Sequence, residues 1–161
     1  PVKRVDLFLE AIAKVRGSHP DQPVQCHIIG EGGQRETLES LTKELSLEDK
    51  VEFHGHRSDV PRCLASLDLL VMPSDHEGTP MVVLEALALG TPVLAHKVGG
   101  LKEILRQYPQ LLLDEHSASG YAKAIAQLLP DLGKLQVSLE NRYRASQNAE
   151  STLELYHKLR R

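Results

Sequence analysis

Apolar residues recur along the chain in two alternating rhythms. Val5, Phe8, Leu9, Ile12 and Val15 stand at helical spacing, and His19-Pro20-Asp21 closes that segment. Val24 to Ile29 reads as a short strand, followed by Gly30-Glu31-Gly32-Gly33. Leu38, Leu41 and Leu45 give the stripe of a second helix, Val51 to His54 a strand, and Val60 to Leu67 a short helix. Leu69 to Met72 is an uninterrupted apolar run, the pattern of a strand covered on both faces. A helix from Pro80 to Leu89 ends at Gly90. Val93-Leu94-Ala95 is the next strand, a helix starts near Leu101, and Leu111 to Leu113 is the last strand. Everything beyond Ala118 reads as helical.

Regular helix–strand alternation predicts an α/β fold, a doubly wound parallel sheet with helices on both faces and right-handed crossovers. In such sheets ligands bind at the carboxyl ends of the strands. Here the loops at those ends begin at Gly30, Gly55, Pro73 and His96. A doubly wound domain ordinarily opens with a strand, whereas Pro1-Val2-Lys3-Arg4 leads straight into a helix. An excised domain lacking its first strand is therefore expected. Residues 1–145 would form it, with 146–161 a C-terminal helix packing toward an absent N-terminal domain.

The 161 residues suffice for one core. A net charge of −3 argues against a broad surface for nucleic acid or anionic lipid. No apolar run approaches the roughly 20 residues that span a bilayer. Cys26 and Cys63 show no metal-ligand spacing, and two buried, reduced thiols are expected.

The loop from Pro73 to Glu85 carries the most chemistry. Thr79-Pro80 predicts a helix start with a Thr N-cap and Pro in the first turn. The amides of Met81 and Val82 would then lack intrahelical acceptors, and with the positive end of the dipole they suit a diphosphate. Gly78 keeps a side chain out of the ligand's approach. Glu77 and Glu85 flank this start, and carboxylates accept paired contacts from sugar or ribose hydroxyls. The plain alternative makes Glu77 a dipole partner and Glu85 a solvated helix residue.

Gly30-Glu31-Gly32-Gly33 lacks the last glycine of a dinucleotide fingerprint, since Arg35 holds that place, and reads as a tight turn lining the cleft. His54 and His56 can share a strand face, but no further ligands stand at recognisable spacing, so no metal is expected. Asp75-His76-Glu77 has no organised Ser or Cys beside it, which disfavours a hydrolytic triad.

Glu77-Gly78-Thr79-Pro80-Met81-Val82-Val83-Leu84-Glu85-Ala86-Leu87 resembles the E-x7-E segment of retaining GT-B glycosyltransferases. Val2 to Leu7 resembles their lysine-bearing first loop and helix, Ile29 to Gly32 their V-G-x-G turn, and Phe53 to Val60 their F-x-G-x-x-x-x-V stretch. Gly90-Thr91-Pro92-Val93, then Val98-Gly99-Gly100 and Glu103, resemble the G-x-P-V and G-G-x-x-E elements. The similarity runs from Pro1 to about Leu129.

The resemblance implies the donor-binding, C-terminal half of an enzyme moving a hexose from a nucleoside-diphosphate sugar to an acceptor hydroxyl. It implies that Lys3 contacts the diphosphate and that Glu77 contacts the transferred sugar in a catalytic role. Glu85 would hold the ribose hydroxyls, and the backbone from Thr79 to Val82 the phosphates and sugar. Arg57 would lie near the base, its alternative being a surface salt bridge. The family usually carries an arginine a few residues before the lysine, upstream of Pro1, so the fragment alone is expected to bind donor weakly, and without the N-terminal domain to transfer nothing. The acceptor would dock on the N-terminal domain, with no cofactor and no metal required. A cytoplasmic enzyme is implied, with peripheral association at the inner face of the membrane open to the full-length protein. The base stays open among uracil, guanine and adenine. A GT-B epimerase or phosphorylase half, and a non-catalytic nucleotide-binding module, are the competing readings.

Overall fold

A computed structural model of the chain describes residues 2–20 and 23–147. Among the described residues five short strands alternate with helices: α1 (Val5–Ser18), β1 (Cys26–Ile29), α2 (Arg35–Glu44), β2 (Val51–Gly55), α3 (Val60–Ala65), β3 (Leu70–Met72), α4 (Met81–Ala88), β4 (Val93–His96), α5 (Leu101–Ile104), β5 (Leu112–Leu113) and α6 (Ala118–Leu128). Every strand pairing is parallel, as the alternation predicts. The strands form two sheets, β1-β2 and β3-β4-β5.

Helices cover both faces. On β4, Leu94 belongs to one apolar cluster while its neighbours Val93 and Ala95 belong to the other. That is the period of two of a strand facing two cores. The first cluster joins α1 and α6 to Cys26 and Val51 of the two-stranded sheet. The second joins β3 and β4 to α4 and α5. Small residues on α6, Ala122 and Ala124, let it lie close on Leu9, Ile12 and Val15 of α1. Each fully buried leucine here contributes about 1.5–3 kcal/mol relative to exposure.

Four expectations need correction. β3 meets both cores, Val71 against the first and Leu70 and Met72 against the second, but it is not fully covered, because Leu70 and Val71 are only half-buried. It is the edge of its sheet, and the more deeply buried strand is the central β4, where Val93, Leu94 and Ala95 are all fully buried. The helix after the Pro73 loop begins at Met81, not Pro80. Pro80 is extended (ψ 108°) and serves as the N-cap, and no side chain caps the helix, so Thr79 does not play that part. The chain beyond α6 is not a continuous helix. Pro130 follows directly, and 3-10 turns at Leu129–Lys134 and Asn141–Tyr143 bracket an irregular stretch. A proline that lacks its N–H, followed by Gly133, cannot sustain the α-helical ladder. The C-terminal helix expected over 146–161 lies almost wholly outside the described residues. Finally, both cysteines are free, but only Cys26 is buried; Cys63 is half-buried.

Candidate donor-binding site

Parallel pairing sends the loops after β3 and β4 to one edge of their sheet, where they interlock with the start of the chain. The loop after β3 is pinned from three sides. The Asp75 amide donates to Val2 O at 2.9 Å. The Tyr121 hydroxyl of α6 donates to Met72 O at 3.1 Å. His116 Nε2 contacts Pro73 O at 2.7 Å, while its Nδ1 faces Asp75 at 3.5 Å.

The loop after β4 closes the fourth side. The Gly100 amide donates to Gly78 O at 3.0 Å and to Glu77 O at 3.3 Å. Gly99 has a φ of +48°, and a Cβ there would sit 1.7 Å from Glu77 O. Only glycine meets both demands. The two glycines thus let the β4 loop press directly against the backbone of Glu77 and Gly78.

Within this frame Glu77 is buried, 7% exposed, and its carboxylate accepts a hydrogen bond from Lys3 Nζ at 2.7 Å. Lys3 itself is 64% exposed, so the ion pair lies at the mouth of the site. Next to it, Arg4 opens α1 in the left-handed region (φ 48°) and its guanidinium reaches both Asp6 and Asp75 at 3.1–3.2 Å. Burial pushes the Asp6 carboxyl up, but hydrogen bonding and charge from Arg4 outweigh it and hold the group below its ordinary value.

Gly78, Thr79 and Met81 are exposed, Pro80 is buried, and Val82 is half-buried against the second core. The helical ladder begins with the Val83 amide, which donates to Pro80 O at 3.1 Å. The amides of Met81 and Val82 precede it. α4 has no acidic residue in its first turn, so its positive end is not neutralised by its own sequence. Glu85 is exposed one turn beyond Met81, and among the described residues its carboxylate has no hydrogen-bond or ion-pair partner. An open, amide-lined turn, a cation and two carboxylates form an arrangement that can take an anion flanked by hydroxyls.

The remaining predicted residues lie in the loops that follow β1 and β2. Gly30 is exposed at φ 126°, its amide bonded to Gly55 O at 2.8 Å, and Gly32 O accepts from the Arg35 amide at 3.1 Å. This is a tight turn, as expected. Arg35, which stands where a dinucleotide fingerprint needs glycine, bridges Glu31 and Glu39. Arg57 forms a two-point pair with Asp59 at 2.7–2.8 Å, the surface salt bridge considered as its alternative. Hydrogen bonding from Arg57 holds the Asp59 carboxyl below its ordinary value. Glu103 is likewise engaged on the surface, by Arg142 and Arg106.

Sequence reasoning did not single out Arg4, Ser74, His96 or His116. His96 and His116 stack with ring centroids 4.0 Å apart, and the buried Ser74 hydroxyl has no partner among the described residues. His116 sits in the loop after the last strand, which is itself a carboxyl-end position; its place in the topology was the available signal.

The chain is similar to known proteins in sequence and fold. Residues 1–152 match the family model described as "Glycosyl transferases group 1". The lipopolysaccharide core biosynthesis glycosyltransferase LpsE of Rhizobium meliloti is 34% identical over 125 residues, covering 77% of this chain and 35% of that protein. The D-inositol 3-phosphate glycosyltransferase of Salinispora tropica is 32% identical over 158 residues, covering 92% of this chain and 33% of that one. The chain thus spans about a third of the length of these relatives. Among solved structures, Anabaena Alr3699/HepE in complex with UDP superposes with a TM-score of 0.71 at 28% identity, over 83% of this chain and 37% of that one. Among the described residues no helix is long and apolar enough to cross a membrane.

Proposed function

The chain belongs to the group 1 glycosyl transferases, and from that premise we propose that residues 1–145 are the nucleotide-sugar-binding domain of a retaining enzyme. In the full-length protein it would move a hexose from a nucleoside-diphosphate sugar to an acceptor hydroxyl. The observation that carries this reading is the meeting of Lys3 with buried Glu77 beside the open start of α4.

The hard step in such a transfer is departure of the diphosphate, which gathers negative charge. Lys3 and the amides of Met81 and Val82 stand ready to stabilise that charge without reorganisation. Glu77 is the catalytic carboxylate in this reading. It faces the sugar and stabilises the electron-poor ring as the leaving group departs. Glu85 accepts hydrogen bonds from the ribose hydroxyls, and Gly78, Thr79 and Pro80 shape the turn around the phosphates. Gly30 and Gly32 line the cleft, and Arg57 lies toward the base. No metal is needed, because the cation and the helix start neutralise the diphosphate. The acceptor docks on the N-terminal domain, and closure of the two halves excludes water and aligns the reactants. A cytoplasmic setting belongs to the same reading, and the free cysteines are in keeping with it.

The test is titration of UDP, GDP and ADP into the full-length protein and its Glu85→Ala variant. UDP comes first because the Anabaena structure holds it. Loss of hydrogen bonds to a charged carboxylate should cost about 1.5–3 kcal/mol of affinity. Equal affinity in the two proteins would overturn the donor site. The anomeric configuration of the product, read by NMR, decides retention.

A further inference from the structure

We propose that His27, Glu52 and His54 form a binding site for a divalent late first-row metal ion, with Zn²⁺ as the probe. The site lies on the sheet β1-β2 and uses none of the residues assigned to the donor. His27 stands opposite Glu52 in the parallel register. His54 is two positions beyond Glu52, so the strand's period of two puts all three side chains on one face. That face is open: the side chains of His27, Glu52 and His54 are 33%, 61% and 25% exposed.

The donor atoms converge. His27 Nδ1 lies 2.8 Å from His54 Nε2, and Glu52 Oε2 lies 3.8 Å from the first and 3.7 Å from the second. A point equidistant from three atoms so spaced is roughly 2 Å from each, the bond length of Zn²⁺ to imidazole nitrogen and carboxylate oxygen. Without a cation the three groups serve one another poorly. Two neutral imidazoles share a single hydrogen, and the carboxylate faces both nitrogens from beyond hydrogen-bond distance. A dication on the convergence point satisfies all three at once. Two imidazoles and a carboxylate suit Zn²⁺, Ni²⁺ or Cu²⁺ far better than Mg²⁺ or Ca²⁺, which prefer oxygen donors.

The coordination sphere stays open on the solvent side. His27 and His54 line a groove of about 200 Å³ together with Arg57, Cys63 and Leu67. Cys63 Sγ faces Asp59 Oδ1 at 3.9 Å and is not part of the converging set. A fourth ligand is therefore water or an incoming group. Because the ligands come from both strands, the ion also ties β1 to β2.

The competing account is an imidazole–imidazolium pair beside Glu52, which needs only a proton. The experiment measures Zn²⁺ binding to tag-free, full-length protein by competition with a chromophoric chelator at pH 7.5 and 5.5. Wild type should take up one equivalent that His27→Ala and His54→Ala each weaken at least tenfold. Glu52→Gln should weaken it severalfold, and His56→Ala should leave it unchanged. Uptake should fall at pH 5.5, where protons compete for the imidazoles. Co²⁺ in place of Zn²⁺ should give visible absorption bands that the same variants abolish. Uptake undiminished in the His27→Ala/His54→Ala variant, or no stoichiometric uptake by wild type, overturns the site. Circular dichroism verifies each fold, and the exposed Glu52→Gln variant keeps the test decisive if a histidine variant unfolds.

Discussion

Lys3 Nζ reaches Glu77 Oε1 at 2.7 Å across 74 positions of sequence, joining an exposed cation to a carboxylate that is only 7% exposed. Removing one member of such a pair is unequal in its effects. Lys3→Met leaves a buried carboxylate without its partner, and should destabilise by about 1–2 kcal/mol, less than for a fully buried pair because Lys3 is solvated. Once Glu77→Gln is present, the same lysine substitution should cost little. A double-mutant cycle by urea unfolding measures the difference, and a coupling near zero would mean the contact contributes nothing.

Gly99 should be among the least substitutable positions in the molecule. An alanine Cβ would collide with backbone, not with a movable side chain, and the left-handed φ adds strain. Gly99→Ala should therefore destabilise by about 2–4 kcal/mol. Gly32→Ala is the control, since a Cβ there meets nothing within 4 Å. Its effect should stay within about 0.5 kcal/mol. Thermal melts of the two variants decide the matter, and equal effects would remove the β4 loop as the support for Glu77.

The parallel α/β order was legible because Leu9, Ile12 and Val15 keep helical spacing, while Val93-Leu94-Ala95 is too short and too apolar for anything but a buried strand. The candidate site was legible where local chemistry signals it: Gly78, Pro80 and the two glutamates stand together in the chain. What could not be read was everything long-range. Nothing local tells that Lys3 meets Glu77, that Gly99 and Gly100 abut Gly78, or that His116 holds Pro73. Those contacts depend on which strands become neighbours. The Thr79 cap failed for a different reason: Pro80 settled into extended backbone and shifted the helix start by one residue.

The two cysteines should separate cleanly by reactivity. Burial raises the Cys26 thiol to about 12, so its thiolate is scarcely populated near neutral pH, and the side chain is out of reach of reagents. Cys63 is half-buried beside the groove. A chromogenic disulfide reagent at pH 8 should titrate one thiol quickly in native protein and the second only on unfolding. Cys63→Ser should abolish the fast phase. Rapid reaction of both would place Cys26 in a region that opens easily.

The stacked histidines predict the direction of a pH effect. Burial lowers the His96 pKa from its ordinary 6.5, the charge of nearby His116 adds to the shift, and Asp75 and Asp114 only partly oppose it. The folded chain therefore holds this proton less tightly than the unfolded chain does. Well above 6.5 neither state is protonated and the group has no pH-dependent effect. As pH falls below 6.5 the unfolded state gains a proton that the native state resists, so stability drops until the folded pKa is reached. His96→Phe keeps an aromatic ring against His116 and removes the titration. Between pH 7.5 and 5.5 wild type should lose more stability than this variant, measured by urea unfolding. An identical decline in the two proteins would show that His96 titrates as freely in the folded chain as in the unfolded one.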